Sequence, residues 1–397
     1  MNKFPEKINK IAVSSFNEDG GILTQPSHFE FNYTGEQSVS LLMPVIEKPY
    51  MYGTVHPVFT QNLPEGYVRH YLYERLQRHA KMNDMYLLAL QGSKSIGHLS
   101  YDGGIPEGVQ EQISLNDIIT WDSKESLFGS LLDGFYLNGL ASGVQPKVLV
   151  PLNEVTTITQ QEVIVKTFEK DVYDLLTVNE FVCMSAAADC NLAPRTFWLS
   201  NDLQCFITQR FDINGQERMA LEDFASLMGK SGDEKYHSSY EMVMKATSMF
   251  TQSPEEVIKA FKYIAFNCLI GNGDAHLKNF SVTYKKGRTA VKLSPLYDVT
   301  HTLIYDTLDD RMALKMNKSK VFPSFIELTR LGESYGVPSP KHIITELSEL
   351  IHQSINKSEV IGLMPNLKAS IEKSLLQAKA GIYESVKYQQ DRHRKFI

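Results

Sequence analysis

Short stretches in which apolar and polar residues alternate, separated by turn residues, occupy the beginning of the chain. Residues 29–33 alternate, and the mostly apolar stretch 39–43 ends at Pro44, so both predict β-strands. Residues 67–79 have the spacing of a helix. The first part of the chain is therefore expected to be rich in strands, with an inserted helix.

The pattern shifts toward helices further along the chain. Strands are predicted over 147–150, 163–168 and 205–208, and a helix is predicted over about 175–188. Beyond about residue 215 the apolar spacing is mostly helical. A β-rich half followed by a helical half predicts an α+β protein.

One helix of the second half has clear start and stop signals. Ser253 is the expected N-cap, Pro254 stands at the first helical position, and Glu256 completes a capping box. Gly271 is the expected stop. Two more helices are predicted, one from residue 339 and one over 366–388.

Composition narrows the class of protein. The 397 residues are 43% hydrophobic and 22% charged, which is typical of a folded globular protein. A formal net charge of −6 argues against a protein that coats nucleic acid. The four cysteines form no C-x-x-C pair, so buried reduced thiols are expected. We expect a cytoplasmic location, because no apolar run approaches the ~20 residues of a membrane span and residues 1–10 lack a signal-peptide core.

The segment 272–279, NGDAHLKN, follows the predicted helix that stops at a glycine. A plain turn is one interpretation, since Asn-Gly is a turn signal. Residues 280–293, however, alternate on both sides of a Lys-Lys-Gly-Arg turn and predict a β-hairpin. Pairing of the two arms would gather Asp274, Asn279 and Asp298 at one end.

Two carboxylates and an amide are hard oxygen ligands, which suit a Mg²⁺ ion that carries a nucleotide. The Asp-x₄-Asn spacing of Asp274 and Asn279 equals that of the protein-kinase catalytic loop. By that comparison Asp274 would accept the proton of the substrate hydroxyl, and Asn279 and Asp298 would hold the metal. The spacing alone is a weak signal, which the hairpin and the later aspartate strengthen.

Kinase chemistry also needs a cation on the phosphates and a backbone cradle around them. Lys166, inside the apolar run VIVKTF, is the candidate cation, with Glu180 as its candidate partner. The alternative is an edge-strand lysine that faces water. The candidate cradle is the loop SGVQPK, residues 142–147, for which the alternative is a glycine turn between strands.

His276 could be taken for a zinc ligand, but no second histidine or cysteine stands at the spacing of a zinc site.

The chain resembles the HipA family, the kinase toxins of bacterial toxin–antitoxin systems. The resemblance covers about residues 20–350 and rests on SGVQPK, VIVK, NEFVCMSAA, ITQRFD, LEDFASLMG, Lys235-Tyr236, NGDAHLKNFS and LSPLYD, with GILTQPSHFEFNY, FTQNLPEG and LLALQGSKSIGHLSY upstream. It implies a two-lobed kinase-like fold related to phosphoinositide kinases. The expected parts are a HipA-like N-terminal subdomain (1–125), a kinase N-lobe core (126–212) and a helical C-lobe (213–397).

The resemblance implies an ATP- and Mg²⁺-dependent protein Ser/Thr kinase. Asp274 would be the catalytic base, Lys166 would bind the ATP phosphates, and Asn279 and Asp298 would be the metal ligands. A structural ion pair with Asp212 between the lobes is the alternative for Arg210. The residues implied to line the nucleotide, besides Lys166, Asn279 and Asp298, are Ser142, Gly143, Val144, Gln145, Pro146, Lys147, Gln209, Arg210, Phe211, His276, Lys278 and Tyr297.

The family also implies inhibitory autophosphorylation on a serine of the nucleotide loop. Some members carry a serine two residues before Ser142, where this chain has Leu140. We therefore hypothesise that Ser142 is the modified residue, and an unmodified loop serine is the alternative. A phosphate there would add about −1.5 to −2 charge and would repel the phosphates of ATP.

The implied partners are a small HipB-like DNA-binding antitoxin and a protein substrate, which in known members is an aminoacyl-tRNA synthetase. DNA would be contacted only through the antitoxin, and no membrane partner is expected. Two other functions stay open. Small-molecule phosphotransferases of the aminoglycoside-kinase type share the G-D-x₄-N loop and the later aspartate, but the first 125 residues and SGVQPK favour the HipA interpretation. A non-catalytic nucleotide-binding co-repressor is less favoured, because every catalytic residue type is present.

Overall fold

The computed structural model describes residues 5–77, 80–105, 114–121, 127, 147–151, 162–167, 173–215 and 217–381. Its strands are β1 (Lys10–Ser15), β2 (Glu18–Thr24), β3 (Phe29–Tyr33), β4 (Tyr50–Tyr52), β5 (Leu99–Asp102), β6 (Lys147–Pro151), β7 (Glu162–Lys166), β8 (Phe197–Leu199), β9 (Phe206–Gln209), β10 (Ile213–Asn214), β11 (Glu217–Arg218), β12 (Ala220–Asp223), β13 (Ser281–Lys285) and β14 (Thr289–Leu293). Its α-helices are α1 (Pro57–Thr60), α2 (Gly66–Leu76), α3 (Asp84–Gln91), α4 (Leu115–Ile119), α5 (Leu176–Asp189), α6 (Phe224–Leu227), α7 (Tyr240–Thr251), α8 (Pro254–Ile270), α9 (Phe325–Ser334), α10 (Pro340–Lys357) and α11 (Pro365–Ala380).

The chain divides into two compact units, each discontinuous in sequence. The first unit comprises residues 1–168, 196–232 and 281–294, and the second comprises 169–195, 233–280 and 295–397. The hairpin β13–β14 therefore belongs to the first unit, whereas the chain on both sides of it belongs to the second. The linear boundaries at residues 125 and 212 stay a prediction about sequence segments.

The first unit is built on antiparallel sheets. Strand orders are β4-β3-β2-β1-β5 in the largest sheet, β6-β7-β9-β8 in the second and β12-β13-β14 in the third. Alternate residues of β1 point inward, so that Ile11 and Val13 are buried. They belong to one apolar cluster with Phe31, Phe59 and Val165. Alternation of this kind is expected for a sheet with one face on the core.

Most predicted strands are confirmed, since β3, β6, β7 and β9 lie where the alternation indicates. The strand predicted over 39–43 is wrong. Ser40 and Met43 instead form an isolated bridge across a tight turn. The Tyr33 hydroxyl donates to the Met43 carbonyl at 2.5 Å. Side-chain hydrogen bonds of this kind satisfy the backbone in place of a strand partner.

The second unit is mostly helical, and α8 begins and ends as predicted. Ser253 Oγ accepts from the Glu256 backbone N–H at 3.3 Å, Pro254 is the first helical residue, and Gly271 follows the last with φ +78°. Only the Ser253 half of the predicted capping box is formed, because the Ser253 backbone N–H donates to Thr251 Oγ1 at 3.3 Å. The left-handed glycine ends the helix and turns the chain into the next loop.

The other predicted helices are also found. Helices α2, α5 and α10 lie at the predicted places, and α11 confirms the last predicted helix as far as Ala380, beyond which residues 382–388 are outside the described residues. All four cysteines are buried and unbridged, as expected. Burial raises the pKa of Cys190 to about 12. No helix in the described part of the chain has both the length and the apolar character needed to cross a membrane.

Candidate active site

The loop that follows α8 is held in shape by hydrogen bonds of its own residues. Asn272 Nδ2 donates to Asn267 Oδ1 at 2.7 Å, and Asn272 Oδ1 accepts from the Asp274 backbone N–H at 3.0 Å. The His276 backbone N–H then donates to the Asp274 carbonyl at 2.7 Å. This backbone presents the exposed side chain of Asp274 at the end of a buried helix, where an acceptor hydroxyl can approach a general base.

A tyrosine contacts that carboxylate. The Tyr236 hydroxyl donates to Asp274 Oδ1 at 3.2 Å, and the Tyr236 ring meets the His276 ring edge-on with centroids 5.1 Å apart. The sequence showed Lys235-Tyr236 only as a motif shared with a family and gave the tyrosine no role. Because Tyr236 and Asp274 are 38 residues apart, no spacing rule could have paired them.

Asn279 and Asp298 are in contact. Asn279 Nδ2 donates to Asp298 Oδ2 at 3.1 Å, and Asn279 Oδ1 accepts from the His276 backbone N–H at 3.2 Å. Asp298 has φ +61°, in the left-handed region that aspartate tolerates better than most residues. The predicted hairpin and the proximity of these two residues are therefore confirmed. Their role as metal ligands stays a prediction.

The oxygen atoms of this pair fit a magnesium ion. Mg²⁺ is usually held by one or two carboxylates, with water and substrate phosphates in the remaining positions. Asp298 supplies a carboxylate, and the amide oxygen of Asn279 has two lone pairs, of which the His276 N–H needs one. Among the described residues no group of three or more His, Cys, Asp or Glu side chains could hold a metal. Water and nucleotide phosphates are the groups that usually fill the remaining positions around Mg²⁺.

Three other predicted site residues lie in the same unit. His276 is buried, and Lys278 and Tyr297 are partly buried. The Tyr297 hydroxyl donates to the Lys278 carbonyl at 2.7 Å, which ties the residue before Asp298 to the residue before Asn279. Contact with the nucleotide stays a prediction for all three.

Lys166 lies in the first unit at the end of β7, a strand flanked by β6 and β9. Its side chain is 4% exposed, and Nζ lies 5.8 Å from the centre of the Phe206 ring. The alternative of an edge-strand lysine that faces water is therefore wrong. Burying an ammonium group costs free energy unless charges or hydrogen bonds compensate, and buried charges are frequent at functional sites. Glu180 is fully buried in α5, in the second unit, and its pairing with Lys166 stays a prediction.

Gln209, Arg210 and Phe211 come at the end of β9. Arg210 Nη2 donates to Asp212 Oδ2 at 2.7 Å and to the Ser95 carbonyl at 3.0 Å. Burial opposes ionisation of Asp212, but the Arg210 guanidinium, the Gly97 backbone N–H and the charge of Arg218 together outweigh it and lower the pKa of that carboxyl. The ion pair considered for Arg210 thus exists, but both of its residues belong to the first unit, so the expected position between the lobes is wrong. A nucleotide contact stays a prediction for the three residues.

The predicted nucleotide loop cannot be compared with the structure. Residues 142–146 lie outside the described residues, and so does the side chain of Lys147, whose backbone begins β6. Both the loop assignment and the Ser142 hypothesis therefore stay predictions.

The segment after Asp298 is held by side chains to which the sequence gave no role, although Asn179 is the first residue of the motif NEFVCMSAA. His301 Nδ1 lies 2.6 Å from the Ile270 carbonyl, and His301 Nε2 lies 2.6 Å from Ser370 Oγ. Asn179 Oδ1 accepts from the His301 backbone N–H at 2.7 Å, and Asn179 Nδ2 donates to the His301 carbonyl at 2.9 Å. No local motif marks these contacts, which join distant parts of the chain.

Fold and site together define the class. The chain has a two-lobed α+β fold, and an Asp-x₄-Asn loop leads through a hairpin to a second aspartate, as in protein kinases. The protein-family model of the HipA N-terminal domain matches residues 12–102 of this sequence. The family model of the HipA-like C-terminal domain matches residues 139–355. The chain belongs to the HipA family.

Individual relatives agree with the family at modest identity. The serine/threonine-protein kinase toxin HipA of Shewanella oneidensis is 23% identical over 352 residues, which cover 77% of each chain. Y4dM of Sinorhizobium fredii is 36% identical over 118 residues, 30% of this chain and 28% of that protein. This chain spans 28% to 51% of the length of the first three curated relatives that it matches.

A solved structure shows the same fold. It is the complex of Shewanella oneidensis HipA and HipB with operator DNA, and the match has a TM-score of 0.67 at 20% identity. The match covers 94% of this chain and 98% of the other. The predicted α+β, two-lobed fold is confirmed.

Proposed function

We propose that this chain is an ATP- and Mg²⁺-dependent protein Ser/Thr kinase that acts as the toxin of a HipBA-like toxin–antitoxin pair. The observation that carries the proposal is an exposed Asp274 on a hydrogen-bonded loop, five residues before an asparagine that contacts Asp298. Membership of the HipA family and the similarity to the serine/threonine-protein kinase toxin HipA of Shewanella oneidensis support the kinase class.

Phosphoryl transfer needs positioning and charge stabilisation more than covalent chemistry. A bound Mg²⁺ ion would neutralise charge on the phosphates. Asp274 orients the acceptor hydroxyl and accepts its proton. Asn279 and Asp298 would hold the metal through oxygen atoms, and Lys166 would place its ammonium group on the ATP phosphates.

The proposed partners follow from the family. We assign a HipB-like antitoxin on the basis of the Shewanella oneidensis complex, which contains HipA, HipB and operator DNA, and DNA would be contacted through that antitoxin. The proposed acceptor is a host protein, an aminoacyl-tRNA synthetase, in the cytoplasm. Autophosphorylation at Ser142 would switch the kinase off by repelling ATP.

Intact-mass spectrometry of the full chain and of Asp274→Ala, after incubation with Mg·ATP, tests the proposal. A phosphate gained by the wild type alone and mapped to Ser142 would support the kinase, the base and the inhibitory site. An equal gain by both proteins would refute Asp274 as the base. A wild type that gains no phosphate, binds no Mg·ATP in calorimetry and phosphorylates no acceptor protein would refute the kinase. Phosphorylation of small alcohols or sugars would favour a small-molecule phosphotransferase.

A further inference from the structure

The Tyr236 hydroxyl donates to Asp274 Oδ1 at 3.2 Å, and both residues belong to the second unit. We propose that Tyr236 is a positioning residue: its hydroxyl holds the Asp274 carboxylate in the orientation that meets the acceptor hydroxyl. This inference rests on the proposed kinase function. It assigns a role to a side chain that neither binds the metal nor accepts the proton.

The Asp274 side chain needs such a restraint because it is exposed. The loop hydrogen bonds fix its backbone, at the N–H through Asn272 and at the carbonyl through His276, but they do not fix its χ angles. A general base has to come within about 2.6–3.2 Å of the hydroxyl whose proton it accepts. A hydrogen bond to a charged acceptor is stronger than a neutral one, so a phenol can select one carboxylate orientation.

The contact is compatible with catalysis by the same carboxylate. An ionised carboxylate offers about four lone-pair sites, and the Tyr236 hydroxyl uses one of them on Oδ1. The phenol therefore orients the group without consuming its capacity to accept a proton from a substrate.

Tyr236 is itself well placed to orient a mobile group. It ends the short 3₁₀ turn Gly232–Tyr236, and its ring meets the His276 ring at an interplanar angle of 76°. The ammonium of the buried Lys235 lies 5.3 Å from the centre of the same ring. An orienting side chain works only when its own rotamer is restrained, and these contacts supply that restraint.

The ring contact also links Tyr236 to the other half of the site. His276 gives its backbone N–H to the Asp274 carbonyl and to Asn279 Oδ1. Tyr236 thus touches the candidate base directly and packs on the residue whose backbone joins the base to the candidate metal ligand.

Tyr236→Phe tests the proposal, because it removes one hydroxyl and keeps the ring. We expect kcat to fall about 10- to 100-fold, while KM for Mg·ATP stays within about twofold, since the phenol acts on the base. The measured quantity is the steady-state rate at which labelled ATP loses its γ-phosphoryl group, to protein and to water together. Tyr240→Phe is the matched control: it removes a hydroxyl that donates to the Ala275 carbonyl of the same loop at 3.2 Å. It should cost stability without the loss in kcat.

A second readout does not depend on activity. Thermal midpoints of Tyr236→Phe, Asp274→Ala and the double variant form a double-mutant cycle, and a hydrogen bond between the two side chains predicts shifts that do not add. Additive shifts, or a Tyr236→Phe enzyme with wild-type kcat, would overturn the positioning role and leave the kinase proposal standing. A loss seen equally in Tyr240→Phe would also overturn it. A wild-type protein that transfers no phosphate would refute both the kinase function and the positioning role of Tyr236.

Discussion

Asn279 and Asp298 are 19 residues apart in sequence, and the amide of the first donates to the carboxylate of the second at 3.1 Å. The hairpin β13–β14 between them makes this contact, because the Ser294 backbone N–H donates to the Ser281 carbonyl at 2.9 Å where the arms close. The distance between the two candidate ligands therefore depends on strand pairing as well as on the ligands themselves.

Replacing Asp298 by Asn should weaken binding of Mg·ATP about tenfold or more, because the variant lacks the charge that attracts the metal. Asparagine is preferred to alanine for this test, since Asp298 has φ +61° and asparagine tolerates that conformation. Isothermal calorimetry with ATP should show the loss when Mg²⁺ is present and little change when a chelator removes it.

Asp309→Asn is the matched control for that experiment. The Asp309 side chain is 71% exposed, so the same chemical change should leave the affinity for Mg·ATP unaltered. Equal affinities of Asp298→Asn and the wild type in the presence of Mg²⁺ would remove Asp298 from the metal site.

Much of this site was predictable because its signals are local. Asp274 and Asn279 share one loop, and the alternation of residues 280–293 indicated the hairpin that leads to Asp298. The end of α8 was equally clear, since a helix stop at Gly271 depends on one residue with positive φ.

The parts that could not be predicted depend on tertiary contacts. Tyr236 contacts Asp274, 38 residues away in sequence, and Asn179 contacts His301, 122 residues away. Neither contact produces a regular spacing of residues that a sequence pattern could reveal. The false strand at 39–43 has a similar cause. Its mostly apolar residues before Pro44 look like a strand, but Arg288, from a distant hairpin, donates to the Ser40 and Met43 carbonyls.

Glu222 on β12 is a buried carboxylate whose replacement should destabilise the first unit. It accepts hydrogen bonds from Ser40 Oγ at 2.5 Å, from the Leu41 backbone N–H at 2.8 Å and from the Tyr284 hydroxyl at 2.5 Å. Glu222→Leu leaves these donors without an acceptor, which should cost about 3 kcal/mol or more. Glu222→Gln keeps one acceptor oxygen and should cost about half as much. Urea unfolding measures both.

Glu217→Leu serves as the control, because the Glu217 side chain is 77% exposed and surface substitutions usually change stability by about 0.5 kcal/mol or less. If Glu222→Leu were no more costly than Glu217→Leu, the hydrogen bonds of Glu222 would contribute nothing measurable to the fold.

Gly271→Ala should destabilise the protein more than the same change at Gly336. Both glycines have positive φ, +78° and +70°, but an added Cβ at Gly271 would lie 2.7 Å from His301 Nδ1, whereas Gly336 has nothing within 4 Å. Both variants bear left-handed strain of about 1–2 kcal/mol, and the collision should add about 1–3 kcal/mol at Gly271. Equal losses of unfolding free energy for the two variants in urea would show that the loop after α8 accommodates the added methyl group without further loss of stability.

His301 should make stability depend on pH. Burial lowers its pKa from 6.5 to about 4, so the folded protein keeps the imidazole neutral while the unfolded chain takes up a proton below pH 6.5. The stability linked to this group is therefore present above pH 6.5 and is lost as the pH falls toward 4, by about 1.4 kcal/mol per pH unit.

His301→Gln isolates this effect from that of other buried histidines. The variant should be less stable than the wild type at pH 7, because it loses the ring that lies against Ile270 and Ser370. Since glutamine does not titrate, the gap between the two free energies of unfolding should narrow by about 2–3 kcal/mol between pH 6.5 and 4.5. Exposed His342 supplies the control variant His342→Gln, which should follow the wild type. Parallel curves for His301→Gln and the wild type would show that His301 is protonated as easily in the folded protein as in the unfolded chain.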